Sequence, residues 1–414
     1  MTGREKILNA LNHRPGPVPL DLGSLPTTGI HTSILEELRD FYGLEKRPCR
    51  VLEPFQMLGQ VDDDLREVLG IDTTPLWNRW TMYGFSDEGE KEWRTPWGQT
   101  VLVPRDFNVT EDSENVYIYA GGDTRYAPAG VMPKSGFFFD SPLRQKPIVE
   151  EELDPLDNLE EFGSVSPEDL DYYRREAVRL QDSPYGVTGN LGGTAIGDIA
   201  CVPGPMLKDP RGIRDVTEWY VSTLTRPEYL HEVFRGQTDT ALANLKKIHQ
   251  VLGDSIQIAY ICGNDFGTQN APFCSNETFE TLYAPYYREI NGWIHANTSW
   301  KCFKHSCGAI EPLIPLMIES GFDILNPVQW TAEGMDRDLL VKKYGKDLVF
   351  WGGGVNTQKT LPFGTPEEVR AEVLATCECF SRENGFVFNT IHNIQCNTPT
   401  ENLLAMFAAL GRKV

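Results

Sequence analysis

Residues 300–308 read WKCFKHSCG, an alternating strand pattern that runs into a His-Ser-Cys-Gly turn and then into the helical stretch IEPLIPLMIESG. His305 and Cys307 stand two apart, so continued strand geometry would send both side chains to the same side. A neutral imidazole and a thiolate facing one way are the ligand pair that a borderline-soft ion such as zinc prefers. Gly308 allows a sharp turn without a steric penalty. A spacing of H-x-C is less specific than a doubled C-x-x-C, and polar residues at a strand–loop junction also serve as simple caps.

The remaining chemistry-bearing residues follow one pattern along the chain. Asp21, Asn190, Asp265 with Gln269, His305 with Cys307, Asn326 with Gln329, Asn356 with Gln358, and His392 all fall just past candidate strands. Asp265 in NDFGTQ could act as a general base, as a hydrogen-bond partner for a ligand, or as the cap of its own turn. Asn326, Gln329 and Gln358 suit orienting a substrate or holding metal ligands, since amides do not transfer protons near neutral pH. Trp330 and Trp351 could stack on a flat ligand or pack under the loops. Gly189, Gly192, Gly193 and Gly197 do not have G-x-G-x-x-G spacing, so YGVTGNLGG is read as a tight turn after a strand.

Elements able to position these residues recur regularly. Strand candidates lie at 18–23, 73–77, 185–193, 256–269, 300–304, 322–327, 348–353 and 386–391, with helical segments between the later ones. Such alternation is what successive βα units need, and eight of them predict a (β/α)8 barrel preceded by an N-terminal helical segment at 2–12. In that architecture the C-terminal strand ends share one face, which carries the active site. From about 84 to 150 the texture changes to short β-rich pieces punctuated by Gly and Pro, such as KEWRTPWGQTVLVP and SGFFFDSP. This region is expected to be an insertion in a single domain spanning 1–414. Its aromatics Trp93, Trp97, Tyr117, Tyr119 and Phe137 to Phe139 would form a local core or line a lid.

Net charge is −21, with 59 acidic and 38 basic residues, which argues against nucleic acid and anionic membrane as partners. No apolar run suggests a membrane span, and MTGREKILNALNHRPG has no apolar core of a signal peptide. Nine dispersed cysteines are expected to be reduced thiols in a cytoplasmic protein. Cys377 and Cys379 fall in a helix, where residues two apart diverge, and Cys262 and Cys302 fall in strands; all four read as packing.

From Lys304 to Leu410 the chain resembles the uroporphyrinogen decarboxylase superfamily, especially its cobalamin-dependent methyltransferase branch. The phrases that carry the likeness are KHSCGAIEPLIPLMIESGFDILNPVQ, FWGGGVNTQKTLPFGTPEEVRAEV and IHNIQCNTPTENLLAMFAAL. Earlier segments agree, namely GREKILNALNHRPGPVPLDLG and NDFGTQNAPFCSNETFETLYAPYYREI.

The resemblance implies a barrel whose open end meets a corrinoid carried on a separate protein, and a zinc site formed by His, Cys and a third ligand. His305 and Cys307 fall on the first two ligand positions. The third, usually Cys, falls on His392, with Cys396 four residues on as an alternative. Asp265 joins His305 and Cys307 as a catalytic candidate. Asp21, Asn190, Gln269, Asn326, Gln329, Asn356 and Gln358 are the candidates for binding substrate or corrinoid. The activity implied is methyl transfer between a corrinoid and a methoxylated compound, a methylamine or a thiol, in a chain that could form a homodimer.

A decarboxylase of a tetrapyrrole, or a barrel that only binds a ligand, are the alternatives. The decarboxylases carry an arginine-rich N-terminal stretch, whereas PLDLGSLPTTGIHTS here contains no arginine.

Overall fold

The computed structural model describes residues 1–414. Seven parallel strands form one curved sheet. Their spatial order is Thr73–Leu76, Gly186–Asn190, Ile258–Cys262, Lys301–His305, Ile324–Asn326, Val349–Trp351 and Phe386–Val387, which is also their order in the chain. The expected strand at 18–23 is reduced to a single parallel bridge between Leu20 and Phe388. It nevertheless closes the ring. Asp21 N–H donates to Phe388 O (2.9 Å) and Phe388 N–H to Pro19 O (2.8 Å) on one side. On the other, Asp72 N–H donates to Leu20 O (2.8 Å) and Leu20 N–H to the Asp72 carboxylate (2.9 Å). Pro17 and Pro19 lack N–H donors, which explains why the ladder there is so short. The result is a (β/α)8 barrel.

Two apolar layers hold it together. Ile258, Phe303, Ile324, Val349, Trp351 and Val387 fill the interior, and Ile7, Ala10 and Leu11 of the helix Gly3–Leu11 plug its lower end. Gly186 opens its strand without a side chain because a Cβ there would lie 2.7 Å from Ile7. A much larger cluster packs the outer face of the sheet against the helices. Each fully buried Ile or Phe in these layers contributes about 2–3 kcal/mol. Thr2 with Glu5 and Thr365 with Glu368 form capping boxes that start their helices, each worth about 1 kcal/mol.

The β-rich region is more extensive than composition indicates. Glu90–Arg94 and Thr100–Pro104 form a hairpin, but Thr100–Pro104 also pairs in parallel with Cys49–Glu53, which in turn pairs with Leu58–Gly59. A second, three-stranded sheet contains Val109–Glu111, Asn115–Ile118 and Gly130–Pro133. Tyr83, Phe85, Phe107 and Phe139 build a separate core beneath them, with Trp93 and Trp97 packed against it. Of the aromatics expected to form a core or a lid, Trp93, Trp97 and Phe139 belong to this core, Phe138 is exposed, and none lines the cavity over the barrel.

His31 ties this region to the barrel. Its Nδ1 accepts Ser33 N–H at 3.2 Å to cap the helix Thr32–Phe41, while Nε2–H donates to Phe137 O at 3.0 Å. Burial lowers its pKa to about 4. The folded state therefore holds it neutral where the unfolded chain takes up a proton, so this contribution is complete above about pH 6.5 and is lost as pH falls toward 4. Over that window wild type should lose about 3 kcal/mol more stability than His31→Gln. Urea unfolding at several pH values checks this; parallel curves for the two proteins would rule it out.

Candidate metal centre

The strand Lys301–His305 alternates as its sequence requires. Phe303 points into the barrel core, and His305 follows it on the same side at the upper end. His305 Nε2 lies 3.5 Å from Cys307 Sγ. The loop after the strand Phe386–Val387 brings His392 over the same spot, its ring centroid 5.6 Å from that of His305. One ligand atom from each of His305, Cys307 and His392 lies within 4.8 Å of the other two. Cys396 is not part of this group, so the alternative third ligand is set aside in favour of His392.

Supporting contacts orient the cluster. Asn326 donates its Nδ2–H to Trp351 O at 2.9 Å, which fixes the amide so that Oδ1 faces His305. His305 Nδ1 lies 2.6 Å from that oxygen and must carry the proton, leaving the Nε2 lone pair toward Cys307 and His392. Asp265 Oδ1 accepts Cys307 N–H at 2.6 Å and lies 3.5 Å from His305 Nε2. Gln329 Oε1 accepts Gly308 N–H at 2.8 Å, and Ser306 Oγ accepts Phe266 N–H at 2.8 Å. Gly308 has φ of 88°, and a Cβ there would fall 2.4 Å from the carbonyl carbon of Gly267. Only glycine fits that approach.

Burial lowers the pKa values of both imidazoles, so they are neutral bases at neutral pH. Burial, reinforced by the Asp265 charge, pushes the Cys307 thiol up. Two neutral imidazoles and a thiol that ionises on binding suit zinc.

Above the cluster opens a cavity of about 1280 Å³ whose wall includes His305, His392, Asp265 and Asn190. The other sequence candidates stand elsewhere. Asp21 is buried, and its carboxylate accepts Thr73 Oγ1–H (2.6 Å) and Trp351 Nε1–H (2.8 Å), so it braces the barrel closure. Trp351 is thereby committed to the barrel interior, and Trp330 donates to Gly353 O (2.7 Å) with the Arg337 guanidinium 4.3 Å over its ring; neither is free to stack on a ligand. Asn356 Oδ1 accepts the N–H groups of Gln358 and Lys359, a turn cap, so Asn356 and Gln358 do not line the cavity. Gln269 is exposed on a loop away from it. Asn356, Gln358 and Gln269 follow strands, and polarity there is what the turns themselves require.

Two features of the site carry no strand-end signal in the sequence. Lys304 is fully buried behind the sheet, with Nζ–H groups donating to Asn264 O and His305 O at 2.6 Å each, and it clamps the two site-bearing strand ends together. Asp198, Tyr260 and Gly263 also line the cavity. The glycine-rich turn beginning at Gly189 is what delivers Asp198 there, and that richness was the available signal.

No helix is long and apolar enough to cross a membrane. Among solved structures, a methyltransferase from Methanosarcina mazei is similar to this chain, with a TM-score of 0.54 and 13% identity over 99% of this chain and 98% of that one. At that identity the likeness establishes the fold. No curated protein matches the sequence. Residues 136–412 match the model of the uroporphyrinogen decarboxylase (URO-D) family, which is more than half the chain. The chain therefore belongs to the uroporphyrinogen decarboxylase family.

Proposed function

We propose that the protein is a methyltransferase that moves a methyl group between a small substrate and a corrinoid carried on a partner protein, with zinc held by His305, Cys307 and His392. The observation that carries the reading is the convergence of those three ligand atoms, within 4.8 Å, beside a cavity large enough for a substrate. The Methanosarcina mazei protein that shares the fold is a methyltransferase, which agrees with it.

Zinc in that position would polarise a substrate heteroatom or hold a substrate thiol as its thiolate. The chain's own residues prepare for this. Asn326 keeps the His305 proton on Nδ1, so Nε2 is free to bind. Asp265 holds the Cys307 backbone and places its carboxylate at the cavity wall. The walls bury a bound substrate and so strengthen polar contacts made inside.

Decarboxylation of a polycarboxylate fits less well. Each of the five arginines in the cavity wall is already ion-paired within the protein, for example Arg79 with Asp169 at 3.1 Å and Arg47 with Asp62 at 3.0 Å. A substrate bearing several carboxylates would find no free cationic clamp.

The deciding experiment incubates zinc-loaded protein with cob(I)alamin and a panel of methoxylated aromatics, methylamines and thioethers. Spectral conversion to methylcobalamin is the expected result. Carbon dioxide release from a carboxylated tetrapyrrole, with no methyl transfer, would select the decarboxylase instead.

Asn326→Leu gives a second check. It keeps the volume but removes both amide contacts, so the His305 ring loses its fixed tautomer. Zinc affinity should fall about 10–100-fold in competition with a chelator, and nitrogen NMR should show His305 protonated on either nitrogen. Unchanged affinity and tautomer would remove Asn326 from the account.

A further inference from the structure

The loop after Gly186–Asn190 carries Asp198 back to the cavity, and the strand Ile258–Cys262 presents Tyr260 beside it. Asp198 is 9% exposed, and its Oδ1 accepts Ala200 N–H at 3.0 Å. Its other oxygen and the Tyr260 hydroxyl both stand over Gly263. A Cβ built on Gly263 would lie 3.1 Å from Asp198 Oδ2 and 2.3 Å from Tyr260 Oη, so the absent side chain makes room for the pair. No ion pair engages Asp198, whereas the arginines in the same wall are all matched. Two other cavity acids lack a cation: Glu53, whose oxygens are taken by the N–H groups of Phe55 (2.8 Å) and Gln56 (2.7 Å), and Asp265, whose Oδ1 accepts Cys307 N–H at 2.6 Å and lies 3.5 Å from His305 Nε2 in the ligand cluster. Asp198 is thus a wall acid outside that cluster whose second oxygen has no side-chain partner.

A buried carboxylate without a counter-charge is costly, and burial accordingly pushes the Asp198 carboxyl up. A ligand that donated a hydrogen bond to it would relieve that cost. Ala200, Tyr260, Gly263, Asp265 and Lys304 surround the group: the backbone N–H groups of Ala200 and Gly263 point at it, Asp265 adds a like charge, and the Lys304 ammonium is spent on Asn264 O and His305 O.

We propose that Asp198 and Tyr260 anchor the methyl donor by a second substituent, an O–H or N–H donor, so that the preferred substrates carry a free hydroxyl or amine besides the methylated heteroatom. This rests on the methyl-transfer reading for the word donor, and on geometry alone for the anchor. Asp198 is a specificity residue here, and the reacting bond lies toward His305 and His392.

The test is calorimetric binding of 2-methoxyphenol, 2-methoxybenzylamine and methoxybenzene to the full zinc-loaded chain, with no corrinoid present. Wild type should bind the phenol or the amine at least about tenfold more tightly than methoxybenzene. The better of the two identifies which donor the site takes. Asp198→Asn keeps an oxygen for Ala200 N–H but loses the charge, and should cut the preference about tenfold. Gly263→Ala, which leaves both side chains in place but crowds Tyr260 Oη and Asp198 Oδ2 with a methyl group, should do the same, and Tyr260→Phe should weaken it. Equal binding of the three compounds by wild type, or a preference that survives both Asp198→Asn and Gly263→Ala, overturns the proposal. If the preference behaves as expected but no compound methylates cob(I)alamin, the anchor stands and the methyl-transfer reading fails.

Discussion

Cys307→Ala should leave a folded protein that no longer retains zinc. Wild type is expected to carry about one zinc per chain after dialysis, and the variant less than a tenth of that. The loss should exceed the 10–100-fold that follows from disturbing a ligand's hydrogen-bond partner, because a ligand itself is gone, so about a thousandfold or more is expected in affinity. Methyl transfer should fall in proportion. The backbone contact that positions the loop, Cys307 N–H to Asp265, does not depend on the side chain and survives. Melting of the two metal-free proteins should therefore be nearly the same, while added zinc should raise the melting temperature of wild type alone. Elemental analysis and thermal shifts measure both. A variant that binds zinc one to one would dismiss the cluster as a metal site.

Gly308→Ala should be more damaging than its size suggests. The new methyl would fall 2.4–2.5 Å from Gly267 C, Gly267 O and Thr268 O, all backbone atoms that cannot rotate away. The same junction is stitched by Ala309 N–H donating to Thr268 O at 2.7 Å and by Gly308 N–H donating to Gln329 Oε1 at 2.8 Å. A positive φ adds its own cost of about 1 kcal/mol for a residue with a side chain. Separating the two loops moves Asp265 away from Cys307 and exposes buried polar groups, so a loss of about 3 kcal/mol or more in stability is expected. Zinc retention should fall with it. Denaturant unfolding with and without zinc distinguishes the two effects; a variant as stable and as metal-competent as wild type would show that the loops do not meet this tightly.

Much of the architecture was legible from periodicity. The apolar runs expected at 256–269, 300–304, 348–353 and 386–391 contain the staves Ile258–Cys262, Lys301–His305, Val349–Trp351 and Phe386–Val387, since their doubly buried character leaves few alternatives, while the polar ends of the first and last runs are loop. The stave expected at 18–23 is shorter, since Leu20, preceded by Pro17 and Pro19, closes the ring through one bridge without forming a ladder. The small sheet was underestimated, because Cys49–Glu53 alternates only over five residues and gains its pairing from Thr100–Pro104, some fifty positions away. Local pattern does not record such partners.

By itself the sequence determined the barrel alternation, the common direction of His305 and Cys307, and the likeness to the family. Each follows from spacing within one element or from a contiguous run of residues. Only the tertiary structure decided that His392 and not Cys396 joins them, that Asn326 holds His305 while Asn356 merely caps a turn, and that Asp198 reaches the cavity beside Tyr260. Those outcomes depend on how loops from different strands pack at the barrel mouth. That packing is a balance of many distant contacts that no short stretch of sequence contains.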